Sequence, residues 1–144
     1  MDDRCLAIFT TETPVRILRE GGTRGWRVNP ARARGVPFLV CVHNHANPAG
    51  QVPGSTDLHR AAFLVARISS VVPAAGDNRP NRWKICISDF FRHSVPDVWR
   101  GWPNPVKYSS LEKLGIDAAE LDFHDLTEAQ GHIERLTERR LRRG

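Results

Sequence analysis

Residues 38–42 read FLVCV, five apolar side chains in succession bounded by Pro37 and a polar stretch. So short a run, bounded by such punctuation, is a strand signal. CLAIFT (5–10) is a second run of this kind and suits a buried strand. RWKICISDF (82–90) alternates, with Trp83, Ile85, Ile87 and Asp89 against Lys84, Cys86, Ser88 and Phe90, the pattern of a strand with two different faces. AAFLVARISSVV (61–72) satisfies both periods: Leu64, Ala66 and Ile68 share a face at period two, while Leu58, Ala62, Val65 and Val72 share one at helical spacing. Its Val, Ile and Phe content favours strand.

Helical signals are short and lie between these runs. TETPVRILREGG places Thr13 before Pro14 at a helix start and Gly21-Gly22 at its end. SSLEKLGI reads as a short helix with a serine cap and Gly115 as its stop. LTEAQGHIERLTERRLRRG opens with Thr127 and Gln130 at capping-box spacing and continues through Ile133, Leu136 and Leu141. RGWRVNPARARGVP reads as a basic connector, and VPDVWRGWPNPVKY carries too many prolines for regular structure. The expected class is α+β: one domain over 1–144, a small mixed β-barrel with short peripheral helices and a C-terminal helix whose end, about 138–144, is basic.

The 144 residues suffice for one core, and 40% hydrophobic with 26% charged is a globular composition. No apolar run approaches the roughly 20 residues that span a bilayer, and MDDRCLAIFT has acids where a signal peptide has bases, so no membrane partner and a cytoplasmic location are expected. Cys5, Cys41 and Cys86 sit singly in apolar runs and read as reduced thiols. The net charge of +5 and pI of 9.7, with arginine supplying most of the excess, favour phosphate-bearing partners.

Two stretches carry candidate chemistry. In CVHNHANPAGQVPGSTDLH (41–59), His43 and His45 stand two apart at a strand end, with Asp57 beyond. Two imidazoles and a carboxylate can hold zinc and leave a position for water, with Glu12 or Glu20 as general base. This stretch looks like the His-x-His…Asp core of JAMM-type metallo-isopeptidases and RadC-type proteins, with Pro48 and Ser55 displaced from that pattern and a helix due after the aspartate. The other reading is a polar Pro- and Gly-rich loop.

The whole order, CLAIFT, GWRVNPARAR, FLVCV, AAFLVARISSVV, RWKICISDF and LDFHDLTEAQGHIERL, is similar to the EVE domain and its ASCH relatives in the PUA-like superfamily. Arg34-Gly35-Val36-Pro37 departs from that pattern. The resemblance implies a β-barrel that binds RNA or DNA without catalysis or a cofactor, with a flipped or modified base between aromatic walls. Such a site needs stacking faces, groups that read a base edge, and cations for phosphate. The candidates are Trp26, Trp83, Trp99, Trp102 and Tyr108 for stacking, and Asn29, Ser88 and Asn104 for the edge. Arg24, Arg27, Arg32, Arg34, Arg100 and Lys107 are the candidates for phosphate. Trp83 and Trp26 also suit the core, and packing is the other reading of Trp99 and Trp102. Arg139, Arg140, Arg142 and Arg143 read as a solvated helix end. The alternatives are a zinc-dependent amidohydrolase at His43, His45 and Asp57, and a module whose tryptophan-rich turn binds a partner protein.

Overall fold

A computed structural model describes residues 1–45 and 59–133. Asp57, Pro48, Ser55 and the arginines of the C-terminal end lie outside the described residues. The chain runs β1 (Arg4–Thr10), α1 (Pro14–Glu20), β2 (Gly22–Trp26), α2 (Pro30–Arg34), β3 (Phe38–His43), β4 (Ala62–Pro73), β5 (Trp83–Val95), β6 (Val106–Ser110) and β7 (His124–Asp125). Residues 126–133 are helical, as α3.

The strands form one sheet in the order β2-β5-β4-β3-β1-β6, with β7 added to β5 beyond the stretch that β2 occupies. β1 and β3 pair in parallel, from Cys5 opposite Phe38 to Thr10 opposite His43, and every other pairing is antiparallel. A parallel pair cannot be joined by a hairpin. The connection therefore carries α1, β2 and α2, and β2 reaches the far edge of the sheet.

β1 and β3 are buried on both faces, which is why their sequences read as unbroken apolar runs. Leu6, Ile8, Leu39 and Cys41 join a core with Ile17 of α1, Ala33 of α2, Phe63 and Ile85. Trp26 of β2 and Val106 and Tyr108 of β6, from opposite ends of the strand order, both pack on this core. The sheet is thus curled into a half-barrel, and bulges in β4 at Ala66/Ile68 and Ile68/Ser70 help it bend. Cys5, Ala7, Val40 and Val42 face a second core with Val98, Trp99, Leu111, Leu114 and Ile116. Burial pushes the Cys5 thiol up to about 12 and Cys41 upward as well, so both stay protonated small hydrophobes.

The α+β class agrees with the sequence reading, and 61–72 resolves as strand. Four local expectations are corrected. The basic connector contains β2 and α2; its Asn29-Pro30 pair is a helix start, Asn29 Oδ1 accepting from Ala31 N and Arg32 N at 3.0 and 3.2 Å. The end of the proline-rich segment forms β6, because Val106 onward finds a partner in β1. SSLEKLGI makes a single turn rather than a helix: Ser110 Oγ still accepts from Lys113 N, at 3.2 Å, and Gly115 still ends it at φ 77°, but Leu111, Leu114 and Ile116 must all enter the second core. The cap of α3 is Asp125, whose Oδ1 accepts from Glu128 N at 3.2 Å, while Gln130 donates across to the Leu18 carbonyl at 3.0 Å.

Gly22 marks the tightest approach in the sheet. A Cβ there would lie 2.2 Å from the Ile85 carbonyl oxygen, a backbone atom that cannot turn aside. Gly22→Ala is expected to cost about 3 kcal/mol or more, by forcing β2 off β5. Urea denaturation of the two proteins checks this, and a loss under 1 kcal/mol would mean that β2 has room to shift.

Candidate nucleic-acid interface

The two edge strands do not pair with each other, and the seam between them opens into two adjoining cavities. The larger, about 880 Å³, lies between the ends of β1 and β2, the 75–82 turn and Asn104–Val106. The smaller, about 340 Å³, continues between Arg27–Arg32 and Asn104–Tyr108. Arg27, Asn104 and Val106 line both.

Local backbone geometry turns β2 toward this seam. Gly25 stands at φ 88° in a bulge between Arg24 and Trp26, a left-handed conformation that suits glycine. A Cβ at Gly25 would come within 2.9 Å of Arg79 Nη2, so the same glycine admits the 75–82 turn. Past the bulge Trp26 resumes pairing, opposite Trp83.

The floor of the larger cavity is a hydrogen-bonded chain. Trp26 Nε1 donates to Thr23 Oγ1 at 2.8 Å, the Thr23 hydroxyl donates to Glu12 Oε1, and Thr10 Oγ1 donates to that oxygen at 3.3 Å. Thr23 and Thr10 are buried, so the chain sets the indole and the carboxyl together. Glu12 Oε2 is buried and has no partner among the described residues. Burial pushes the Glu12 carboxyl above its ordinary value, against the opposing hydrogen bonds from Thr23 and Thr10.

Five arginines line this cavity against two acids, Glu12 and Asp77. Their engagement differs. Arg79 forks onto Asp77 at 3.0 and 2.8 Å and holds that carboxyl down at about 2. Arg16 reaches Glu20 at 3.5 Å, Arg24 donates to the Ala75 carbonyl, and Arg82 Nη1 donates to the Gly25 carbonyl at 3.3 Å. Arg82 Nε is buried without a partner among the described residues, and Arg27 is exposed at the junction of the cavities. In the smaller cavity the Arg32 guanidinium lies 3.8 Å over the Tyr108 ring. Burial raises the Tyr108 phenol, and its hydroxyl has no partner among the described residues.

The seam thus gathers Arg24, Trp26, Arg27, Asn29, Arg32, Asn104, Lys107 and Tyr108 from the sequence candidates, and leaves the others elsewhere. Asn29 Oδ1 is engaged as a helix cap, and Asn104 Oδ1 accepts from Val106 N at 3.2 Å. Trp99 is 2% exposed and stacks on Phe9 at 4.8 Å, with planes 5° apart, so it belongs to the second core rather than to a pocket wall. Trp102 packs edge-on to Trp99 at 4.8 Å, with Lys107 Nζ 5.6 Å from its ring centroid. Trp83 is partly buried on the first core. Ser88 donates to Asp89 at 2.7 Å, Arg34 donates to the Val71 carbonyl at 2.6 Å, and Arg100 is exposed away from both cavities. Sequence reading missed Thr10, Thr23, Arg79 and Arg82, and met Glu12 only as a base for zinc; the Thr-x-Glu spacing at 10–12 was the one available hint.

His43 and His45 are 1% and 2% exposed, their rings 5.3 Å apart, and His43 stacks on Phe63 at 3.7 Å. His45 N donates to His59 Nδ1 at 3.1 Å. Among the described residues no three His, Cys, Asp or Glu side chains could hold a metal ion, and β4 stands where the His-x-His…Asp pattern calls for a helix. No described helix is long and apolar enough to cross a membrane. No family model, curated protein or solved structure matches the chain.

The raised Glu12 carboxyl has a definite sign in stability. The folded state holds this proton more tightly than the unfolded chain does. Its contribution is therefore fully present below the unfolded glutamate value, about 4.3, and is lost as pH rises through the folded one. Glu12→Gln should flatten the stability profile over that window. Denaturation of both proteins from pH 4 to 8 checks it, and parallel profiles would mean that Glu12 titrates like an exposed acid.

Proposed function

We propose that the chain is a binding module for single-stranded nucleic acid, of the EVE type in the PUA-like class, which takes a base into the larger cavity and phosphates onto its arginines. The observation that carries this is the coexistence, in the lining of one cavity, of five arginines with Glu12 and the Trp26 indole; Glu12 Oε2 and Arg82 Nε lie buried beneath that lining without partners among the described residues. A simple anion would suit the arginines and be repelled by Glu12. A nucleotide suits both, because its phosphate is anionic while its base edge presents neutral donors and acceptors side by side. The indole of Trp26, held by Thr23, supplies an apolar wall for the ring.

In this reading Glu12 and Arg82 meet the base edge, and Arg24 and Arg27 meet phosphate. Trp99 and Trp102 act behind the site, bracing Phe9, which lines the cavity. Trp99→Ala is therefore a stability variant, expected to cost about 3–5 kcal/mol. A base modification is compatible with a cavity of this size, and the chemistry on its walls does not select one.

Fluorescence anisotropy of labelled RNA and DNA strands of about ten nucleotides tests the proposal. Affinity should fall steeply with salt, and Arg27→Ala should weaken binding to all strands about tenfold and lower the salt slope by about one. Glu12→Gln should change the ranking of bases more than the mean affinity. Binding that ignores salt, or that survives Arg24→Ala and Arg27→Ala together, would remove the phosphate contacts and with them the proposal.

A further inference from the structure

The seam has two cavities, and one exposed cation stands where they meet. From that arrangement we infer that the recognised unit is a dinucleotide step: one base in the larger cavity, the linking phosphodiester on Arg27, and the neighbouring base on the Arg32–Tyr108 stack. This inference rests on the proposal above and goes beyond it by fixing a minimum length and a second base platform.

Three observations support the step. Arg27 lines both cavities, is exposed and has no hydrogen-bond or ion-pair partner among the described residues, whereas Arg16, Arg24, Arg79 and Arg82 are each engaged. It is the lining arginine least committed to the protein, at the point a linking phosphate must cross. Second, the Arg32 guanidinium carbon already lies over the Tyr108 ring, 3.8 Å from its centroid, on an exposed residue. The ring occupies one side of the guanidinium, and a base placed against the other would be held by a stacking mode suited to unpaired nucleotides. Third, of the four side chains with buried unpartnered polar atoms, Glu12 and Arg82 line the larger cavity and Tyr108 the smaller. Both compartments are thus walled in part by side chains incompletely matched among the described residues, which suits a ligand that enters both. A duplex presents its bases paired and stacked, so the step calls for a single strand.

The test uses the purified full chain and competes unlabelled ligands against a labelled strand of about ten nucleotides. The competitors are nucleoside 5′- and 3′-monophosphates and dinucleoside monophosphates with one internal phosphate. The dinucleoside monophosphate carries a single charge against nearly two on a mononucleotide, so charge alone ranks it weaker. We expect the best dinucleoside monophosphate to bind at least about tenfold tighter than the best mononucleotide. Arg32→Ala and Arg32→Lys should both remove that advantage, since lysine keeps the charge and loses the plane. Mononucleotides that bind as tightly as dinucleotides, a labelled strand that no dinucleotide displaces, or an advantage that persists in Arg32→Lys would overturn the dinucleotide step while leaving nucleic-acid binding in place. A labelled strand that does not bind at low salt would overturn both.

Discussion

The parallel pairing of β1 with β3 is the constraint from which the seam follows. Two adjacent parallel strands require a crossover, and here it carries α1, β2 and α2 around the first core before the chain returns as β3. β2 is set down on β5, at the opposite end of the strand order from β6. Trp26, Val106 and Tyr108 then pack on the same core, so the two edges face each other without joining. Closing the barrel would pair these edges and fill the seam; leaving it open exposes the polar backbone and side chains that strand pairing would conceal.

The seam combines two kinds of precision. Backbone devices aim it: the Gly25 bulge turns Arg24, Trp26 and Arg27, and the Asn29-Pro30 start sets Arg32 over Tyr108. Side-chain bonding then holds Glu12 and Trp26 through the two threonines. Thr10, Thr23 and Trp26 stand on strands, Glu12 and Arg27 in the short segments that follow β1 and β2, and Arg32 on α2. The second core does different work. Trp99, Phe9 and Trp102 make the outer face of β1 solid, and so support the cavity wall from behind.

Most strands were legible because burial on both faces, or on one, leaves its mark on the local residue pattern. CLAIFT, FLVCV and RWKICISDF each fell where a strand stands. β2 and β6 were not legible, since GTRGW and VKYSS have neither an apolar run nor a clean alternation, and edge strands take their stability from partners distant in sequence. α2 was overlooked although Asn29-Pro30 is a start signal, because a five-residue helix has no room for periodicity. The tryptophans misled in a similar way. A proline-braced turn with two indoles looks costly to order without a ligand, yet the indoles are satisfied by Phe9 and by each other.

Sequence alone determined the α+β class, the strand-rich order and the excess of arginine, because these depend on composition and on patterns within a few residues. Tertiary structure alone decided which arginines meet, that Glu12 sits beneath Trp26, and that Trp99 is core. Those facts depend on β2 lying against β5 and opposite β6, residues some 60 to 80 positions apart in the chain. No local pattern encodes a juxtaposition over that distance. It arises when a crossover and a curled sheet bring the two edges to one seam.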